Sequence, residues 1–201
     1  MRPERDHLDL RFKKRVQRHL RGALLEMRLT PHFFCGLRKT VKETSMRYWL
    51  MKSEPSEFGI DDFTKAPGKK TSWFGVRNYL ARNFMRDQMQ LGDQAFFYHS
   101  SCEIPGIAGI VEICRLAHPD LTQFDPKSKY FDPKATPEKP RWFNVDVKLM
   151  KKTRLLPLSE LREHKKLAGM QLLQRGNRLS ITPVDPAEWK FIEGILRDSG
   201  T

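Results

Sequence analysis

The chain has 201 residues, 39% of them hydrophobic and 10% aromatic, enough to bury a substantial core in one domain or at most two. Its 37 Lys and Arg against 24 Asp and Glu leave a net charge of +13, a balance that favours polyanionic partners such as nucleic acid without specifying a fold. No apolar run approaches the roughly 18 residues that span a bilayer, so no membrane partner is expected. Cys35, Cys102 and Cys114 have neither CxxC spacing nor an even count, and the histidines lack ligand spacing. Neither a metal site nor a cofactor nor a disulfide framework is therefore expected, and a reducing compartment is.

The charge is uneven, with 12 Lys and Arg against 5 Asp and Glu in residues 1–45. "LDLRFKKRVQRHLRGALLEMRL" has the spacing of a short basic amphipathic helix without a strong cap. This extension reads as a nucleic-acid-binding arm, a targeting peptide, or sequence upstream of a functional start at Met46. Glu4, Asp6 and Asp9 weigh against targeting. The third reading is preferred because a strand-like run, "MRYWLMK", begins at Met46. The domain is accordingly expected over residues 46–201.

The first strand covers residues 47–52 and stops at "SEPSEFG", where Pro55 and Gly59 break regularity. "WFGVRNYLARNFMR" follows at 73–86, placing two aromatics, a glycine and an Arg-Asn pair where a helix begins. Leu80 and Phe84 fall on one expected helix face and Arg82 and Arg86 on another. A glycine there permits a sharp turn, and free N–H groups at a helix start attract acceptors, so the stretch reads either as a recognition corner or as ordinary core and surface. Residues 93–100, 106–118 and 141–154 read as strands, with Val145, Val147 and Leu149 alternating against Asp146 and Lys148. "PLSELREH" and "LAGMQLLQ" read as short helices and "RLSITPV" as a closing strand. The terminal helix of 185–198 has Asp185 at its N-cap, Pro186 at its first position, Glu188 completing a capping box, and an apolar stripe of Trp189, Ile192 and Leu196.

Residues 118–142 form a long proline-rich stretch that still carries Phe124, Tyr130 and Phe131, so an ordered functional loop is expected. The element order suits an α+β fold, a mostly antiparallel sheet of five to six strands curled into a small barrel with helices packed around it.

Two strand ends carry candidate chemistry: Lys52, Ser53 and Glu54 at the end of the first strand, and Tyr98, His99 and Ser100 at the end of the second. Either set reads as a polar strand end or as a cleft lining. A Ser-His-Asp catalytic set built on Ser100 and His99 is disfavoured, because adjacent strand residues point to opposite faces.

The ordered series "YWLMKSEP", "TSWFGVRNYLARNFMR", "GDQAFFYHSSCEIPGIAGIVEI", "HPD", "FDPKSKYFDP", "PRWFNVDV" and "RLSITPV" resembles the EVE domain family of the PUA-like group, over about Tyr48 to Ile195. The resemblance implies a PUA-like pseudo-barrel with a pocket for a modified nucleobase, methylated or oxidised, in DNA or RNA, and no catalytic activity. It also implies roles. Trp73 would be a flat apolar wall, Gly75 would permit close approach, and Arg77 and Asn78 would be donors to a base edge or phosphate. Lys52, Ser53, Tyr98, His99 and Ser100 would form further walls, Tyr130 or Trp142 would close the pocket, and Arg82 and Arg86 would contact phosphates from outside it. The chain departs from the family pattern at Phe74, where an acidic residue is usual, and at Leu80, where a glutamine is expected. The rival readings are an enzyme using His99 or Glu54 as acid or base, and a protein-interaction module. A monomer is expected, cytoplasmic in general and nuclear in a eukaryote.

Overall fold

A computed structural model describes residues 46–198. The basic extension 1–45, with its helical reading and the question of Met46, lies outside the described residues. Six strands form one mixed sheet: β1 (Tyr48–Ser53), β2 (Lys70–Ser72), β3 (Gln94–His99), β4 (Gly106–Pro119), β5 (Phe143–Pro157) and β6 (Ile181–Val184). Their spatial order is β2-β5-β4-β3-β1-β6, and only β1 and β3 run parallel. Among the described residues three α-helices accompany them: α1 (Tyr79–Asn83), continued by a π-helical turn over Phe84–Gln88, then α2 (Leu158–Glu163) and α3 (Pro186–Asp198).

Period-two alternation sends neighbouring residues into two separate cores. Trp49, Met51, Ala95, Phe97, Val111, Ile113, Val145 and Val147 pack on one face with Ile60, Phe63, Trp73, Ala81 and Met85. Leu50, Phe96, Tyr98, Ile107, Ile110 and Leu156 pack on the other with Leu161, Leu167, Trp189, Ile192 and Leu196. The expected stripe of α3 is this second interface, where the Trp189 indole stacks on Phe96 at 4.0 Å and on Tyr48 at 4.4 Å. The helix starts as its sequence dictates: Asp185 Oδ1 accepts from Ala187 N at 2.8 Å, and Glu188 Oε2 accepts from Asp185 N at 3.2 Å.

Four expectations need correction. The sheet does not close into a barrel: among the described residues β2 pairs only with β5 and β6 only with β1. Strand β2 has three residues, too few for any alternation to show in the sequence. "LAGMQLLQ" is not an α-helix: it holds the last residue of one 3₁₀ turn, Lys165–Leu167, and the whole of another, Gln171–Leu173. The phase of α1 also differs. Asn78 caps it, accepting from Leu80 N and Ala81 N at 2.9 and 3.1 Å, and this turns Ala81 and Met85 inward and leaves Leu80 exposed.

Candidate functional site

The corner after β2 is built residue by residue. Trp73 N donates to Val145 O at 2.8 Å, extending the β2–β5 ladder, and the indole meets Phe97 edge-on at 5.6 Å. Gly75 then takes φ +82, a left-handed conformation that side chains rarely adopt. A Cβ there would lie 2.6 Å from Tyr130 Cζ, so the close approach this glycine permits is that of the Tyr130 ring. Three residues later Asn78 opens α1 with its Oδ1, leaving its Nδ2 as the polar group still available.

Arg77 ties this corner to the long loop. Its Nε donates to Tyr130 O at 2.9 Å, Nη1 to Val76 O at 3.1 Å and to Asp120 Oδ2 at 2.8 Å, and Nη2 to Thr122 Oγ1 at 3.0 Å and again to Tyr130 O. All five guanidinium N–H groups are thus used within the chain. Asp120, 1% exposed, accepts in addition from Gly75 N, Thr122 N and Thr122 Oγ1. Burial alone would raise its carboxyl, but these hydrogen bonds outweigh burial and hold it below the ordinary carboxylate range. The loop is therefore ordered by a charged clamp, with the Gln123 side chain holding its base: Oε1 accepts from Arg141 N and Trp142 N, and Nε2 donates to Trp142 O.

Against this corner lies a cavity of about 590 Å³. Thr71, Ser72 and Trp73 line it from the β2 end of the sheet, Lys52, Ser53 and Ser180 from the β1–β6 end, and Phe74, Gly75, Asn78 and Tyr130 from the corner and loop. The cavity occupies the gap across which the two ends of the sheet would have to pair to close a barrel. Lys129, over the Tyr130 ring at 5.1 Å, reaches Glu57 at 2.7 Å and so joins the long loop to the segment after β1. Ser101, at φ 53, donates from Oγ to Glu54 Oε1 at 3.1 Å.

Of the residues expected to form the pocket, Lys52, Ser53, Trp73, Gly75, Arg77, Asn78, Ser100 and Tyr130 line this cavity, and Tyr98, His99 and Trp142 do not. Tyr98 points into the opposite core, and burial pushes its hydroxyl up to about 12. His99 Nε2 accepts from Ile60 N at 3.1 Å, and burial lowers its pKa. Trp142 stacks on Tyr79 at 4.9 Å and donates from Nε1 to Asp132 at 2.8 Å, so it is the core of the loop. Arg77 lines the cavity as a clamp with no N–H left to offer, which corrects its reading as a ligand donor. Outside the cavity, Arg82 donates to Arg141 O and Asn83 Oδ1 and lies over the Tyr79 ring at 4.8 Å, while Arg86 pairs with Asp87 at 2.7 Å. Thr71, Ser72, Val76, Arg178 and Ser180 were missed. Val76 lies inside the corner the sequence had marked, whereas nothing local marks the others, which reach the cavity through the pairing of β2 with β5 and of β6 with β1.

Fold and site together define an α+β domain in which an open sheet, a glycine corner and a clamped loop enclose a cavity with aromatic walls and polar groups. The chain belongs to the EVE domain family, whose profile matches residues 47–195. It is 45% identical over 163 residues to "Thymocyte nuclear protein 1" of Gallus gallus, covering 72% of this chain and 66% of that protein, so just under two thirds of that relative is spanned. A solved structure of a hypothetical protein from Leishmania major is 45% identical with TM-score 0.73, covering 78% of this chain and 98% of that one. The structure of human THYN1 protein in complex with DNA containing 5-methylcytosine is 42% identical with TM-score 0.70, covering 74% of this chain and 96% of that one.

Proposed function

We propose that this domain is a non-catalytic reader of nucleic acid that takes one modified base into the 590 Å³ cavity. The observation that carries the reading is the cavity itself, in which an indole buried in the core, Trp73, and the Tyr130 ring are set beside the available amide of Asn78. An unpaired or flipped base is bound in such a site by stacking, while polar groups at its edge select it. The human relative crystallised with 5-methylcytosine DNA makes a methylated pyrimidine the first ligand to test. A non-enzymatic role is supported by the placement of the candidate acid-base groups: His99 is committed to a backbone N–H away from the cavity, and Glu54 holds Ser101. The +13 charge supplies the sequence-independent part of binding, and in this reading Arg82 and Arg86, outside the cavity, add to it by contacting phosphates. In a eukaryote a nuclear location follows the relatives' name. No described helix is long and apolar enough to cross a membrane, and the domain acts as a monomer in this reading.

The test is fluorescence anisotropy with short duplexes that differ by one 5-methylcytosine. Tighter binding of the methylated duplex at every salt concentration is expected. Equal affinity for both duplexes across a panel of modified cytosines and adenines would overturn the reading.

A further inference from the structure

The polar lining of the cavity divides into groups that are already used and groups left over. Ser53 Oγ donates to Phe58 O at 2.7 Å, Ser100 Oγ to Ser53 O at 3.3 Å and Ser101 Oγ to Glu54, while Glu57 holds Lys129 and Arg77 spends every N–H on the loop. Two cations remain, the Lys52 ammonium and the Arg178 guanidinium. Neither makes a hydrogen bond or ion pair from its side chain with any described residue, although both line the cavity.

Their placement is a product of the sheet. Met51 pairs with Ile181, and Lys52 N donates to Ser180 O at 2.8 Å, so the end of β1 and the segment entering β6 form one wall. Lys52 is half-buried there. A positive charge withdrawn from water with no counter-charge is unfavourable, and burial accordingly lowers its pKa. A cation held in this way is complementary to an anion arriving with the ligand. Sites for drug-sized molecules span about 300 to 1,000 Å³, so at about 590 Å³ the cavity has room for a charged group beside a base ring.

We propose that Lys52 and Arg178 form an oxyanion subsite inside the cavity. It rests on the base-reading proposed above and deepens it. The oxyanion is either a carboxylate carried by the modified base or the backbone phosphate next to it. Both are single-charge oxygen acceptors of the kind that lysine and arginine bind through charge-assisted hydrogen bonds.

The experiment uses the full chain and four short duplexes that differ at one position: cytosine, 5-methylcytosine, 5-carboxylcytosine, and 5-methylcytosine with a neutral methylphosphonate as the adjoining linkage. If the base supplies the anion, the carboxyl duplex binds about tenfold tighter than the methyl duplex, the scale of one charge-assisted hydrogen bond, and Lys52→Met erases the gain while Lys52→Arg keeps most of it. If the backbone supplies it, the methylphosphonate weakens wild-type binding about tenfold, and Lys52→Met and Arg178→Met are insensitive to that replacement. The proposal is overturned if Lys52→Met and Arg178→Met, folded by circular dichroism, bind all four duplexes within twofold of wild type. Labelling of Lys52 by acetic anhydride, read by mass spectrometry, separates the two failures. Protection of Lys52 by a duplex that the protein binds without base discrimination sinks the base-reading and keeps the subsite; base discrimination with Lys52 unprotected does the reverse.

Discussion

Asp120→Asn tests whether the Arg77 clamp holds the cavity together. The carboxylate accepts four hydrogen bonds, from Gly75 N at 3.0 Å, Arg77 Nη1 at 2.8 Å, Thr122 N at 3.0 Å and Thr122 Oγ1 at 2.6 Å. Asparagine has the same shape but one acceptor oxygen, so its amide nitrogen must face either the Gly75 and Arg77 donors or the two from Thr122. Removing one partner of a buried ion pair costs about 3 to 5 kcal/mol. The Arg77 side chain is 22% exposed and keeps its Val76, Thr122 and Tyr130 acceptors, which places the loss near the lower end, about 3 kcal/mol. Domains of this kind have a total stability of about 5 to 15 kcal/mol, so the variant is expected to fold. Urea unfolding at pH 7 measures the loss, and hydrogen exchange at the Gly75 and Thr122 amides locates it. The wild-type carboxyl titrates below its ordinary value when folded, so its contribution is complete at neutral pH and shrinks as the pH falls below about 4. The difference between wild type and Asp120→Asn should narrow in acid. A loss under about 1 kcal/mol, with unchanged exchange at both amides, would refute the clamp.

Gly75→Ala must move the Tyr130 ring and hold a side chain at positive φ, so calorimetry should show a destabilisation of about 2 to 4 kcal/mol, with weaker strand binding as the cavity wall shifts. Trp73→Ala should lose roughly 1 to 3 kcal/mol of binding to a methylated strand in titration calorimetry if the indole stacks on the base. Loss of this buried side chain also costs about 3 to 5 kcal/mol of stability, so binding is measured at a temperature where circular dichroism shows the variant folded. Asn78→Asp keeps the oxygen that caps α1 and removes the free amide donor. Its melting temperature should stay within a few degrees of wild type while discrimination between methylated and plain strands falls, and a variant with full discrimination would show that Asn78 is a cap alone.

Much of this molecule is written locally in the chain. Alternation in "FNVDV" sends Val145 and Val147 inward, the Asp-Pro-x-Glu start and apolar stripe define α3, and the Trp-Phe-Gly-Val-Arg-Asn corner stands where a turn and a helix start were expected. Each depends on residues within one or two turns of one another, where backbone preference and hydrophobic period are sufficient. The tertiary structure decided what those residues face. Tyr98 and Phe97 are neighbours of similar character, and only the second core on the far side of the sheet makes Tyr98 core rather than cavity wall. Arg77 has the composition of a ligand donor until its partners appear, Val76 O beside it and a loop 43 to 53 residues away that takes its other N–H groups. Lys52 and Arg178, more than a hundred residues apart, share a wall because β1 pairs with β6. Hydrogen-bond partners at such separations follow from strand pairing and close packing, which no local pattern encodes, and they determine which polar groups the fold uses and which it leaves for a ligand.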